Sequence, residues 1–358
     1  MLLRAAICIG CVTARTAVPV IDISSLRAER ADPVARRRTV EAITNACIEV
    51  GFLHIENHGV SEELQERLDR AFRCFVAQPR EVKRRIEMAV AGPSWRGYFE
   101  VGEELTKGVA DQKEGIYFAA ERPGDSRPLH GPNLFPDEAV APGMRAAVLE
   151  YMAELSELSK ALLDAIGEGL GLPADVFGEH FAEPTTLFRC FHYPPHDEQW
   201  GEESTAVGEH TDMGFLTVLR QDDSGGLQVR EACTNEWVDV PPVPHTFVVN
   251  LGDCLERFTG GLLRATAHRV NKRLGATAGR FSYPFFFDPS FDARMRSCTH
   301  LLPEPLAARA AQRVREAPER WDGRDLQAFE GPYSDFILSK VSMVFPQLAE
   351  GSGVKPRR

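Results

Sequence analysis

The chain has 358 residues, of which 43% are hydrophobic and 26% charged, the balance of an ordinary globular protein and not of a disordered, fibrous or membrane-embedded one. Lys and Arg total 41 against 52 Asp and Glu, and the net charge of −11 is a poor match to nucleic-acid backbones or anionic membranes. No run approaches the roughly 18 uncharged apolar residues of a membrane span.

Residues 1–17 contain Arg4 and Arg15 and no acid, which weakly resembles a targeting segment. Their apolar stretch is short and no persuasive cleavage site follows. They are read as a disordered N-terminal extension. Residues 18–23 (VPVIDI) form a short β-type run. Residues 33–50 carry Val34, Val40, Ile43, Cys47 and Val50 at helical spacing, and GFLHI at 51–55 predicts a strand. Ser61 is a good N-cap, with Glu62 and Glu63 in the first turn of a helix that presents Leu64, Leu68, Ala71, Phe72 and Phe75. Residues 90–142 are rich in Gly and Pro and lack a long period. A long helix is predicted over 143–169.

From about residue 185 to 300 the texture changes to short apolar or alternating runs: TLFRCFHY, FLTVLRQ, LQVR, TFVVNL, ATAHRV and RFSYPFFF. Gly225-Gly226, Pro241-Pro242 and Gly260-Gly261 punctuate them. This is the signature of a sandwich or barrel. A last helix is predicted over 333–346. The expected architecture is one mainly β core with flanking helices. The eight cysteines are scattered, with only Cys8 and Cys11 in a C-x-x-C and no second pair at zinc-site spacing. They read as reduced thiols of a cytoplasmic protein; Cys233, Cys254 and Cys298 read as packing residues.

The sharpest local signal is Gly208-Glu209-His210-Thr211-Asp212. On a strand, residues two apart share a face. His210 and Asp212 would then set an imidazole beside a carboxylate, a natural pair for a divalent metal. His268, 56 residues after Asp212, is the candidate third ligand from a neighbouring strand. Two His and one carboxylate on one side of an octahedron leave three positions open, the ligand set of non-haem Fe(II) oxygenases. Arg280 and Ser282 are likewise two apart. A guanidinium plus a hydroxyl is a natural clamp for a carboxylate. Each piece alone has a plain structural explanation, because H-x-D is common in polar loops and R-x-S is commoner still. Their order within successive short β runs is what points to chemistry.

Together with VPVIDIS, GFLHIENHGV (51–60), HYPP (192–195), GEHTDMGFLTVL (208–219), GGLQVR (225–230), VNLGD (249–253), AHRV (267–270) and RFSYPFFFDP (280–289), these residues resemble the isopenicillin-N-synthase-like family of Fe(II)- and 2-oxoglutarate-dependent dioxygenases. The resemblance runs from about residue 18 to 346. It implies a distorted double-stranded β-helix, or jelly-roll, core. It implies His210, Asp212 and His268 as Fe(II) ligands. It also implies Arg280 and Ser282 as the clamp on the far carboxylate of 2-oxoglutarate, with Tyr193 a further contact. Dioxygen and a small-molecule substrate complete the reaction, 2-oxoglutarate is converted to succinate and carbon dioxide, and ascorbate is an accessory reductant. No nucleic-acid or membrane partner is expected.

The regions implied are an extension at 1–17, an N-terminal dioxygenase region at 18–140, a long helix and connector at 141–184, the jelly-roll core at 185–300 and a helical tail at 301–358. Met213 and His192 depart from commoner family residues at positions expected to face substrate. The segment GYFEVGEELTKG (97–108), with Tyr98, Phe99, Glu103 and Glu104, is a candidate pocket wall, although solvated acids are the usual explanation for such a Glu pair. Asp253 reads as a turn residue. Two other readings stay open: an iron-dependent oxidase of the same fold that does not use 2-oxoglutarate, as in isopenicillin N synthase or ethylene-forming types, and a non-catalytic binding or sensor protein.

Overall fold

The computed structural model describes residues 18–28, 32–122, 124–195, 206–232, 234–271, 278–316, 326–327, 329 and 331–346. The N-terminal extension, with its C-x-x-C, and Cys233 lie outside the described residues.

The first strand, β1 (Val20–Asp22), pairs in parallel with β2 (Phe52–Glu56). Between them run the single turn α1 (Ser24–Arg27) and α2 (Pro33–Glu49). The start of α2 follows from Asp32, whose carboxylate accepts from the Val34 and Ala35 amides, and from Pro33, whose fixed φ suits the first turn. Helix α3 (Glu62–Val76) is capped by Ser61, which accepts from the Leu64 amide at 3.1 Å. Next come the turn α4 (Arg80–Lys83), β3 (Gly97–Phe99), the small hairpin β4 (Leu105–Thr106) and β5 (Val109–Ala110), and β6 (Glu114–Ala119). The long α5 (Met144–Gly169) buries Leu155, Leu158, Leu162 and Ile166 at helical spacing.

The β-rich half supplies β7 (Pro184–Tyr193), β8 (Val207–His210), β9 (Leu216–Gln221), β10 (Leu227–Arg230), β11 (Trp237–Asp239) and β12 (Phe247–Leu251). It continues through α6 (Asp253–Phe258), β13 (His268–Val270) and β14 (Arg280–Ser290), followed by α7 (Glu304–Glu316) and α8 (Tyr333–Val344). Two main sheets result. One has eight strands in the order β1-β2-β12-β9-β14-β7-β6-β3, the other four in the order β11-β10-β13-β8. This is the distorted double-stranded β-helix with flanking helices. The Gly/Pro-rich stretch, which lacks a long period, contributes β3 and β6 to the edge of the large sheet.

The central strand β14 shows how the sheet divides its labour. Its odd-numbered residues face the helices: Phe281 meets Phe72 of α3 edge-on, and the Tyr283 hydroxyl donates to Asp69 at 2.6 Å. Its even-numbered residues, Arg280, Ser282, Pro284, Phe286 and Asp288, line a cavity of about 550 Å³ between the sheets. Neighbouring β7 turns Leu187, Arg189, Phe191 and Tyr193 to the same cavity. Phe285 and Phe287 are fully buried in the core, so the triple Phe run splits by face as its spacing requires.

Candidate active site

His210 ends β8 and His268 begins β13, and the two are direct partners across the antiparallel pair. Their rings lie 4.2 Å apart. The expectation that Asp212 continues the strand is corrected: β8 stops at His210, and Asp212 lies in the connection to β9. The reason is the start of α6. The Asp253 amide donates to the Asp212 carbonyl at 2.8 Å, and the Cys254 amide to Met213 at 3.0 Å. These carbonyls are therefore held by a helix start and not by a strand partner. Asp253 is thus more than a turn residue: it is fully buried and opens α6.

Asp212 Oδ1 lies 3.8 Å from His210 Nε2 and 3.7 Å from His268 Nε2, and one ligand atom from each residue falls within 4.8 Å of the others. Each ring is oriented from behind: Nδ1 of His210 donates to the Gly208 carbonyl at 2.9 Å and Nδ1 of His268 to Thr266 at 3.1 Å. Both Nε2 atoms consequently face Asp212. Burial, followed by the neighbouring His268 ring, pushes His210 down to about 3, so its ring is neutral and a competent donor to a metal. Burial works against the charge on Asp212. The two imidazoles and the donors on its other oxygen outweigh this and hold it below the ordinary carboxylate range. Those donors are the Thr217 hydroxyl at 2.5 Å and the Asn250 amide at 2.6 Å on Oδ2. Two imidazole Nε2 atoms and one carboxylate oxygen, open on the cavity side, fit a 2-His-1-carboxylate iron site.

Arg280 is 3% exposed and directly opposite Tyr193 on β7, its guanidinium 4.8 Å above that ring. Nε donates to the Gly225 carbonyl at 2.9 Å, whereas the buried Nη1 has no hydrogen-bond partner. Ser282 is 2% exposed, and both side chains line the cavity. A buried guanidinium nitrogen without an acceptor is a place for a carboxylate oxygen.

The cavity also holds residues that the motifs do not single out. Arg189 and Lys113 line it, as do Asn250 and Thr217. Arg189 is legible in hindsight: it stands four residues before Tyr193 on one strand and so shares its face. Glu104 is not a solvated acid, at 5% exposure on the cavity wall; Leu105, Thr106, Lys107 and Gly108 stand beside it. Tyr98 and Phe99 are core residues, and Glu103 is exposed, accepting from the Glu100 amide. Met213 faces the cavity, whereas His192 points away from it and binds Glu114 at 2.9 Å.

Two family models match the chain: the N-terminal domain described as non-haem dioxygenase in morphine synthesis over residues 18–138, and the 2OG-Fe(II) oxygenase superfamily over residues 184–289. A probable iron/ascorbate oxidoreductase of Dictyostelium discoideum is 37% identical, over 92% of this chain and 95% of its own length. A 1-aminocyclopropane-1-carboxylate oxidase of Dictyostelium mucoroides is 35% identical, over 92% and 95%. Among solved structures, a full-length Neurospora crassa protein in complex with alpha-KG and thymine shares the fold at a TM-score of 0.74 and 23% identity, covering 91% of this chain and 96% of its own. The chain belongs to the 2OG-Fe(II) oxygenase superfamily. It is a non-haem Fe(II)- and 2-oxoglutarate-dependent dioxygenase that oxidises a small molecule. No helix among the described residues is long and apolar enough to cross a membrane.

Proposed function

We propose that His210, Asp212 and His268 hold the Fe(II), and that Arg280 and Ser282 receive the far carboxylate of 2-oxoglutarate over the face of Tyr193. The observation that carries this reading is the convergence of two tied-back imidazoles and a carboxylate oxygen within 4.8 Å, beside a buried guanidinium nitrogen with no partner. Bound iron and 2-oxoglutarate supply the activation of dioxygen, coupled to release of succinate and carbon dioxide. The chain's own residues do the rest. The Gly208 and Thr266 carbonyls fix the two rings. Thr217 and Asn250 hold Asp212 so that one oxygen faces the metal position. Phe286, Leu187 and Met213 give the cavity apolar walls that exclude water. Ascorbate is the accessory reductant.

The substrate is a free small molecule and not a nucleic acid, a reading supported by the net charge of −11. A cytoplasmic setting is supported by the five free thiols among the described residues.

The test is anaerobic ultraviolet-visible titration of metal-free protein with Fe(II) and then 2-oxoglutarate, followed by a metabolite screen for stimulated succinate release. A charge-transfer band that needs both additions, and a metabolite that accelerates succinate release, are expected. Iron binding with no 2-oxoglutarate band would instead identify an oxidase of the same fold that does not use the keto acid.

A further inference from the structure

On the cavity wall Arg189 is pinned between two rings, its guanidinium 4.3 Å from Tyr117 and 4.6 Å from Phe286. Its side chain is 13% exposed, and its buried Nε has no hydrogen-bond partner. The carboxylate it faces, Glu104 Oε1, stands 3.8 Å from Nη1, beyond hydrogen-bonding distance. Glu104 Oε2 in turn lies 3.2 Å from Lys113 Nζ without hydrogen-bond alignment and is also buried and unbonded. Lys113 has a closer partner in Asp111, at 2.6 Å, and Asp111 accepts from Thr106 as well. Lys113 is thus drawn to Asp111 Oδ2, while Asp111 Oδ1, off the cavity wall, makes no hydrogen bond of its own. Glu104 and Arg189 face one another as opposite charges on the cavity wall, each with a buried polar atom that makes no hydrogen bond.

Desolvated charges with unmet bonds are costly unless a ligand meets them. As a set the four residues are neutral, two cations against two anions. A dicarboxylate in this subsite would oppose Glu104, and a diamine would oppose Arg189. A molecule with both charges satisfies both groups. The planar fork of Arg189 suits a carboxylate, and Glu104 accepts from an ammonium. The same logic keeps 2-oxoglutarate, a dicarboxylate, out of this subsite and on Arg280.

We propose that Glu104 and Arg189 form the prime-substrate subsite, and that the prime substrate is a free amino acid whose carboxylate meets Arg189 and whose ammonium meets Glu104. Phe286, Met213 and Leu105, on the same cavity, accommodate its carbon skeleton. The inference rests on the reading of this cavity as the oxygenase site.

The experiment uses the full chain loaded anaerobically with Fe(II) and 2-oxoglutarate. The proteinogenic L-amino acids are added one at a time, and the shift of the charge-transfer band is recorded. Each responder is repeated as its carboxamide and as its N-acetyl derivative. At least one amino acid shifts the band, and blocking either end raises its Kd about tenfold or more, the loss of a charge-assisted contact. Glu104→Gln and Arg189→Lys raise the same Kd by a similar factor, while 2-oxoglutarate titrates the band at its wild-type concentration. Should a variant fail to fold, the blocked ligands on wild-type protein still decide. The proposal is overturned if no amino acid shifts the band, if a blocked form binds as well as its parent, or if the folded variants bind unchanged. Failure of the oxygenase reading looks different: no band forms with Fe(II) and 2-oxoglutarate in the first place.

Discussion

At Asp212 the two carboxylate oxygens have separate tasks. Oδ1 faces the imidazoles, while Oδ2 accepts from Thr217 and Asn250. Removing the carboxylate leaves two neutral donors for a dication, so Asp212→Ala is expected to abolish Fe(II) binding at micromolar metal. Equilibrium dialysis with iron quantitation checks this, and retained affinity and turnover would show that the metal sits elsewhere. Thr217→Val keeps all three donors and removes one orienting hydrogen bond. An affinity loss of about ten- to a hundredfold, typical of such outer contacts, is expected in the same assay. Arg280→Lys keeps the charge but loses the fork. Loss of a charge-assisted hydrogen bond costs about 1.5–3 kcal/mol, which at 1.4 kcal/mol per decade is about a ten- to hundredfold rise in KM for 2-oxoglutarate. Iron affinity should stay where it was, because Arg280 is no ligand. An unchanged KM in steady-state kinetics with varied 2-oxoglutarate would remove Arg280 from the clamp.

At the scale of elements, the helix periods and the caps at Asp32 and Ser61 were legible because they depend on neighbours in sequence. The pairing of β8 with β13 was legible as an idea, since His210 and His268 sit on short apolar runs. What could not be read is what depends on distant backbone. The end of β8 at His210 is decided by the amides of Asp253 and Cys254, some 40 residues on, which take the next carbonyls. Glu104 is buried beside Lys113, whose closer partner Asp111 arrives through the β4–β5 hairpin. The outward turn of His192 follows from strand alternation once Tyr193 is placed inward, and was available from spacing alone.

The junction between β2 and α3 carries a further element-scale consequence. His58 stacks on Phe247 of β12 at 4.0 Å, and its Nδ1 accepts from the Val60 amide at 3.2 Å. A protonated ring could not accept that bond. Burial, with Arg27 nearby and only partly countered by Glu62, lowers His58 to about 4. The unfolded chain takes up this proton near pH 6.5 and the folded chain only near 4. The associated stability is thus complete above about 6.5 and is lost as pH falls toward 4, up to about 3 kcal/mol. Asp288, raised by burial to about 7, has the opposite slope, so the readout is the difference between proteins. Denaturant unfolding of wild type and His58→Gln should converge on acidification from pH 7 to 4. Parallel profiles would show that His58 does not titrate with folding.

Across the whole molecule, the proposed metal position lies on the seam between the two sheets. His210 and His268 belong to the four-stranded sheet, whereas Thr217 on β9 and Asn250 on β12, which grip Asp212 from behind, belong to the eight-stranded one. Asp212 sits between them with an oxygen turned to each. A cation held by His210, Asp212 and His268 would join the sheets through one carboxylate, and it would offset the desolvation that His210 and Asp212 bear. Binding confined to the folded state stabilises it by RT ln(1 + [L]/Kd), about 2.7 kcal/mol when free metal is a hundred times Kd. Anaerobic urea unfolding with Fe(II) at that ratio should show this increment in wild type, a further one when 2-oxoglutarate is added, and neither in Asp212→Ala. An equal increment in Asp212→Ala would mean that the stabilising ion binds away from the seam, and the sheets would then owe their closure at this end to hydrogen bonds alone.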